Sequence, residues 1–265
     1  MSSNFERALE ECLKPLKIFD NYEAWLAWFK GAEARANLYL SKIKMFTKNL
    51  SGLRALDVGC GVGGVCSALA KLSNHMVGVE INEVLLPLAK LNVENSLHES
   101  SSVDFVLASG LNLPFRENSF DLVLCNDVLE HVSDKEKLIK EIFSVLRKDG
   151  HLFLTTPNRL YPIEPHTGMI GVTLIPRRLA NKLASYKFGF KMDLPDLVTY
   201  KHLVALIKSN GFKFIINHPK WLTYDNVKII NHGIMKRLLK SRAFTWMLAL
   251  FSPLFTALCK KPTDK

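Results

Sequence analysis

The sequence offers no apolar window of about 20 residues, the length a membrane-spanning helix requires. Its longest apolar run, Ala243 to Cys259, is broken by Pro253. Cysteine is scarce and badly spaced for pairing. Cys12, Cys60, Cys66, Cys125 and Cys259 are odd in number and form no Cys-x-x-Cys pair, which argues against a zinc ribbon or a disulfide framework. The opening, "MSSNFERALEECLKPLK", is acidic and amphipathic, unlike the basic-then-apolar pattern of a secretory signal. A reducing, cytoplasmic setting is the expectation. Internal repeats and low-complexity tracts are also lacking.

Acidic residues thin out in the second half. Residues 158–265 carry 18 Lys+Arg against 5 Asp+Glu, a net +13, whereas residues 1–157 carry 17 against 20, a net −3. Such a one-sided field suits a polyanionic partner: lipid headgroups, a phosphorylated substrate or RNA. A merely soluble basic surface is the plainer alternative.

What is present is a rhythm. Residues 5–50 place Trp25, Trp28, Phe29, Leu38, Leu40 and Ile43 at helical spacings, which predicts two or three lead-in helices. Strand-like runs "LRALDVG", "HMVGVEI", "VDFVLAS", "SFDLVLCND" and "GHLFLTTPN" then alternate with helix-like "GGVCSALAKLS", "NEVLLPLAKLNVENS" and "DKEKLIKEIFSVLR". Short apolar strands joined by helices predict an α/β, doubly wound, mostly parallel Rossmann-like sheet. The expected division is a helical lead-in over 1–50, a main domain over 51–232 and a basic, apolar tail over 233–265. Residues 158–200 break the rhythm and read as a substrate-side insertion. The helix "TYKHLVALIKSNG" and strand "FKFIINH" resume it.

In a doubly wound sheet the ligand lies beyond the carboxyl ends of the strands. There "ALDVGCGVGGVCSALAKL" sets Gly59, Gly61, Gly63 and Gly64 between a strand and a helix. Bare glycines admit close approach and positive φ, but by themselves they fit a dinucleotide as well. The acids discriminate. Asp57, at the strand end, would repel a pyrophosphate and attract an amine or sulfonium. Glu80 ends the next strand, where a carboxylate accepts both ribose hydroxyls. An adenosine bearing a cationic amino acid satisfies all three features, and that describes S-adenosylmethionine.

Through "LDVGCGVGG", "VGVEI", "NLPFRENSFDLVLCNDVLEHVSD" and "LRKDGHLFLTTPN" the chain resembles class I S-adenosylmethionine-dependent methyltransferases, in the type 11 and quinone O-methyltransferase-like group. The likeness covers about residues 50–160. It implies Asp57, Gly59 and Gly61 on the methionine part, Glu80 on the ribose and Ile81 beside the adenine. Ser109 and Gly110 would border the adenine edge, and Asn126 and Asp127 would face the methyl-transfer centre. Many relatives hold an aspartate where Ser109 stands, so the adenine contact is weakened here or passes to the backbone. Arg35 reads as a solvated helix charge rather than a partner of the cofactor carboxylate.

A hydroxyl acceptor needs its proton removed as the methyl arrives. His131, after the fourth strand, is the first candidate base, and His166, in "NRLYPIEPHTG" with Tyr161 and Glu164, is the second. A structural histidine is the alternative for each. Asp127, Glu130 and His131 also form a Glu-x-x-Glu-His-like arrangement that holds a divalent cation in quinone O-methyltransferases. Because "LEH" also occurs in metal-free relatives, no metal is assigned. Arg177 and Arg178 are candidate phosphate ligands.

The expected activity is methyl transfer, at oxygen, to a small-molecule or lipid-linked acceptor. The tail is read as an anchor on an anionic membrane surface or, equally, as a packed helix. An RNA methyltransferase is the alternative enzyme, although "NDVL" replaces the Asn/Asp-Pro-Pro-aromatic motif of base methylation. A non-catalytic cofactor-binding scaffold and an NAD-dependent oxidoreductase complete the alternatives.

Overall fold

A computed structural model describes residues 3–13, 22–44, 52–73, 75–96, 103–215 and 252–263. Three lead-in helices, α1 (Ser3–Leu13), α2 (Tyr22–Lys30) and α3 (Ala32–Lys44), precede the alternating part. It runs β1 (Arg54–Val58), α4 (Gly64–Ala70), β2 (His75–Glu80), α5 (Leu85–Ser96), β3 (Val103–Leu107), β4 (Phe120–Asn126), α6 (Lys135–Val145) and β5 (Leu146–Pro157). Then follow α7 (Arg177–Phe188), α8 (Tyr200–Ser209), β6 (Lys213–Phe214) and β7 (Leu254–Lys260). The seven strands are ordered β3-β2-β1-β4-β5-β7-β6, the doubly wound sheet expected.

The chain divides into two compact units, Met1–Asn126 with Lys140–Phe153 and Lys261–Lys265, and Asp127–Ile139 with Leu154–Lys260. In the first, β1 pairs in parallel with β2 on one side and β4 on the other, and β2 pairs in parallel with β3. β1, β2 and β4 bury most of their residues, with Leu56, Val77, Val79, Leu122 and Leu124 all core, whereas the edge strand β3 buries none. Asp121 closes one end. Its Oδ2 accepts from the Arg54 N–H and its Oδ1 from Arg147, each at 2.9 Å.

The lead-in helices belong to this core. Phe5, Leu9 and Leu26 pack with Val62 of the glycine loop and Leu88 of α5. Helix α3 lies so close to α4 that a Cβ on Gly64 would come within 2.6 Å of the Ala32 side chain.

In the second unit, β6 and β7 pair antiparallel, Phe214 opposite Cys259. Along β7 the register with β5 is also reversed: Asn158 N–H donates to the Pro253 carbonyl at one end, Lys261 N–H to Gly150 at the other. Helix α8 starts at Thr199, whose hydroxyl accepts from the His202 N–H. The expected insertion contains α7, which buries Ala180 and Ala184 against Val172 and Leu194.

One expectation is corrected. The end of the apolar tail is neither a packed helix nor an anchor, because Leu254–Lys260 is strand β7 with Phe255, Ala257, Leu258 and Cys259 buried. The run that follows Pro253 is seven residues, a usual length for a strand. Residues 216–251, which hold the end of "FKFIINH" and the rest of the run, lie outside the described residues. The basic end is not all surface either. Buried Lys261 donates to Asn118 Oδ1 and to the Phe143 and Leu146 carbonyls at 2.7–3.0 Å. No helix among the described residues is long and apolar enough to cross a membrane.

Because Gly64 sits where α3 meets α4, Gly64→Ala should push the two helices apart and cost about 1–3 kcal/mol. Thermal unfolding is expected to show the midpoint falling by several degrees, and an unchanged midpoint would mean that α3 is not held against α4.

Candidate active site

In the first unit the strand ends converge on the glycine loop. The Gly59 and Cys60 N–H groups both donate to the Val79 carbonyl, at 2.8 and 2.9 Å, folding the loop over the end of β2. Gly59, Gly61 and Gly63 have φ of 75°, 52° and 72°, the left-handed region in which a side chain is strained. Phe29 of α2 approaches Gly61, and Asn92 of α5 donates to the Val62 carbonyl at 2.8 Å. The sequence reading missed Asn92. Its signal was a lone amide on the apolar face of a helix.

Glu80 organises this loop. Its Oε2 accepts from the Gly61 N–H, and its Oε1 from the Ile81 and Asn82 N–H groups, each at 2.9 Å. The carboxylate retains further lone pairs for other donors. Asp57 is buried at the end of β1 and accepts from the Cys66 thiol at 3.7 Å. Burial pushes its pKa up to about 7; the Cys66 hydrogen bond opposes this and the charge of Glu80 adds to it. A cation beside Asp57 would draw that pKa back down.

The other expected cofactor residues line the same edge. Ile81 is 70% exposed, leaving its side chain free to lie along a flat base. The Ala108 N–H donates to the Glu80 carbonyl at 3.0 Å and so sets the Ser109–Gly110 turn beside the end of β2. The Ser109 hydroxyl accepts from the Leu111 N–H and caps its own turn. Asn126 ends β4 with its amide nitrogen buried. Arg35 stacks over the Trp28 ring at 3.6 Å, a role that the sequence did not suggest.

In the second unit a polar cluster gathers around Glu130 and Glu164. Asp127 has φ 56°, unusual for a side-chain-bearing residue. Its N–H donates to the Thr155 carbonyl and its carboxylate accepts from the Thr155 hydroxyl. Buried Glu130 accepts from the Thr156 hydroxyl at 2.9 Å through Oε2. Its Oε1 is buried without a hydrogen-bond partner among the described residues. Burial and the Asp127 charge raise its pKa to about 7.

The two candidate histidines meet edge to face, with ring centroids 5.1 Å apart. His166 Nδ1 lies 2.9 Å from Glu164 Oε1. Glu164 Oε2 accepts from the His166 and Thr167 N–H groups and from the Thr167 hydroxyl, at 2.7–3.0 Å. Burial works against the Glu164 charge, but these bonds outweigh it and hold its pKa below the usual carboxylate value. For His166 burial is again opposed and outweighed, here by Glu164, Glu130 and Asp127, so its pKa lies above 6.5. His131 goes the other way, down to about 4, through burial and the neighbouring His166. Donor atoms of Glu130, His131 and His166 all lie within 4.8 Å of one another. His166, not Asp127, is thus the third member of the set in which the sequence suggested a cation. Thr155, Thr156 and Thr167 were missed, although a threonine pair at the carboxyl end of a strand was a readable sign. Arg177 holds Asp193 and the Leu194 carbonyl, which makes it a structural brace.

This strand order, with a glycine loop flanked by acids at the ends of β1 and β2, defines a nucleoside-binding α/β protein. A methyltransferase domain family model matches residues 56–154. The ubiquinone biosynthesis O-methyltransferase of Xanthomonas euvesicatoria pv. vesicatoria is 32% identical over 165 residues, covering 62% of this chain and 64% of that protein. Its counterpart from Marinobacter nauticus is 36% identical over 114 residues, 42% and 47% of the two chains. The chain thus spans about half to just under two thirds of these curated relatives. Among solved structures, an S-adenosylmethionine-dependent methyltransferase from Mesorhizobium loti superposes with TM-score 0.57 at 18% identity, over 80% of this chain and 92% of the other. The [4+2]-cyclase SpnF superposes with TM-score 0.56 at 20% identity, over 89% and 83%. A fold shared with a cyclase does not by itself assign a reaction.

Glu80→Ala removes the acceptor for three N–H groups of the loop. Affinity for S-adenosylhomocysteine is expected to fall by about 1–3 kcal/mol. Calorimetry showing unchanged affinity would contradict the role given to Glu80.

Proposed function

We propose that the chain transfers the methyl group of S-adenosylmethionine to a hydroxyl of a small-molecule or lipid-linked acceptor, with His166 as general base. One observation carries the choice of base. His166 Nδ1 faces the Glu164 carboxylate at 2.9 Å. An ionised carboxylate only accepts, so the proton sits on Nδ1 and Nε2 keeps the lone pair. A carboxylate-oriented imidazole of this kind is the usual form of a catalytic base. His131, with its pKa near 4, is too weak to take a hydroxyl proton at neutrality and acts as a neutral polar wall. This reading puts His166 before His131, the first candidate by sequence.

Bound S-adenosylmethionine supplies an electrophilic methyl on a sulfonium, whose carbon–sulfur electron pair stays with the departing sulfur. Asp57, ionised, balances the cationic amino-acid part. Glu80 holds the glycine loop and offers its spare lone pairs to the ribose hydroxyls, and Ile81 covers the adenine. Gly59 and Gly61 keep the backbone open to the methionine part, and Ser109 and Gly110 border the base. Asn126 and Asp127 stand where β4 hands over to the catalytic loop. His166 Nε2 would take the proton of the acceptor hydroxyl. The curated relatives, named for O-methylation in ubiquinone biosynthesis, favour oxygen as the acceptor atom. A non-catalytic binding scaffold leaves the Glu164–His166 pair without a use.

A second reading has one observation of its own, the unpartnered Glu130 Oε1. A divalent cation held by that oxygen with His131 and His166 would suit the mixed donors. Under that reading chelation abolishes transfer to every acceptor and a divalent salt restores it. Under the first, chelation leaves turnover intact.

The first reading also fixes a pH dependence. The base works only when deprotonated, and the folded pKa of His166 is raised above 6.5. The acid limb of kcat/KM should therefore lie above pH 6.5. Glu164→Gln removes the stabilising charge, so the limb should move to lower pH while kcat drops by about 100-fold or more. A limb that stays in place would remove His166 from the mechanism.

A further inference from the structure

The second unit has a small cavity beside Glu164 that the methyl-transfer site leaves without a role. Its walls come from the segment after β5, the start of α7 and the segment before α8, and include Arg159, Glu164, Ile175, Leu194 and Asp196. The cavity measures about 30 Å³. That is room for about two water molecules, and so for one carboxylate group.

The charges around it differ in their commitments. Glu164 gives one oxygen to His166 and the other to the Thr167 turn. Arg177 donates to Asp193 and the Leu194 carbonyl, and Asp196 accepts from Lys135 at 2.7 Å. Among the described residues lining the cavity, Arg159 alone carries a charge that makes no hydrogen bond or ion pair. It is half-buried, and its stem is held in place. The Arg159 N–H donates to the Val198 carbonyl at 3.0 Å, and buried Asn158 just before it donates to the Ser252 carbonyl at 2.8 Å. Asp196 does not neutralise it. Burial raises the Asp196 pKa, but Lys135 and then Arg177 outweigh that effect, and Arg159 contributes least.

A fixed guanidinium without a partner suits a carboxylate, to which it donates two parallel N–H bonds. The apolar walls strengthen such a bond by excluding water. A phosphate is larger and dianionic, too much for this room and for one uncommitted charge. We propose that Arg159 is the subsite for a carboxylate on the methyl acceptor, so that the acceptor class is hydroxy acids. Glu164 lines this cavity and also orients His166, which puts the anchor within one residue of the base. The carboxylate subsite stands by itself; only its assignment to the acceptor rests on the methyl-transfer reading.

Benzoate serves as the binding probe, with benzamide as its neutral isostere and inorganic phosphate as the rival anion, each read by ligand-observed NMR on the full chain. Benzoate should bind about tenfold or more tightly than benzamide. Arg159→Met keeps the stem, removes the charge and should lose about tenfold in benzoate affinity, with Arg159→Lys between the two. Arg178→Met, at an exposed arginine that does not line the cavity, should lose nothing. Circular dichroism and melting midpoint should stay unchanged, since the Arg159 side chain holds no other residue. Equal binding of benzoate and benzamide overturns the subsite. So does benzoate affinity that survives Arg159→Met, or a preference for phosphate. Transfer from labelled S-adenosylmethionine to a hydroxybenzoate should exceed transfer to the matching hydroxybenzamide, and Arg159→Met should erase the difference through KM with little change in kcat. Equal transfer to acid and amide overturns the assignment to the acceptor while methyl transfer stands. Failure of the methyl-transfer reading shows separately, as no binding of S-adenosylhomocysteine, and removes the acceptor assignment but not the carboxylate subsite.

Discussion

Everything at the ligand edge of the first unit depends on a single carboxylate and three peptide N–H groups. By gripping Gly61, Ile81 and Asn82 together, Glu80 fixes the glycine loop against the end of β2. The left-handed glycines let the loop bend there, and Phe5, Leu9 and Leu26 wedge it from the other side through Val62. Charge is held there at a cost. Asp57 is buried close enough to Glu80 for both burial and repulsion to raise its pKa. Such an arrangement is suited to a cation and hostile to a diphosphate.

The second unit solves a different problem, that of keeping an imidazole basic inside protein. Glu164 spends one oxygen on His166 and the other on the turn that carries it, so ring and carboxylate cannot drift apart. The result is two histidines in contact whose pKa values are driven in opposite directions. Divergence of neighbouring titratable groups is what assigns them different roles.

Much of this was legible in the sequence, and the reason is locality. Strand ends, glycines and the acids beside them lie within a few residues of one another, so Asp57, the loop and Glu80 could be placed from pattern alone. The two histidines were each visible, but their pairing and the choice between them were not. That depends on a loop bringing position 166 to position 131 and on which carboxylate faces which ring nitrogen. Helix α7 shows another limit. The sequence marks residues 158–200 only as an insertion, and nothing in it indicates that Ala180 and Ala184 are buried while Leu179 and Leu183 stay exposed. The end of the apolar tail misled for a related reason: a short hydrophobic run does not declare whether it is helix or strand.

Buried Asp57 should become ionised when a sulfonium-bearing nucleoside binds. The test is titration calorimetry with S-adenosylmethionine in buffers of differing ionisation enthalpy. With a free-site pKa near 7, binding at neutral pH should release about half a proton, and almost none two pH units higher. Proton release that does not change with pH, or binding of NADH in place of S-adenosylmethionine, would contradict it.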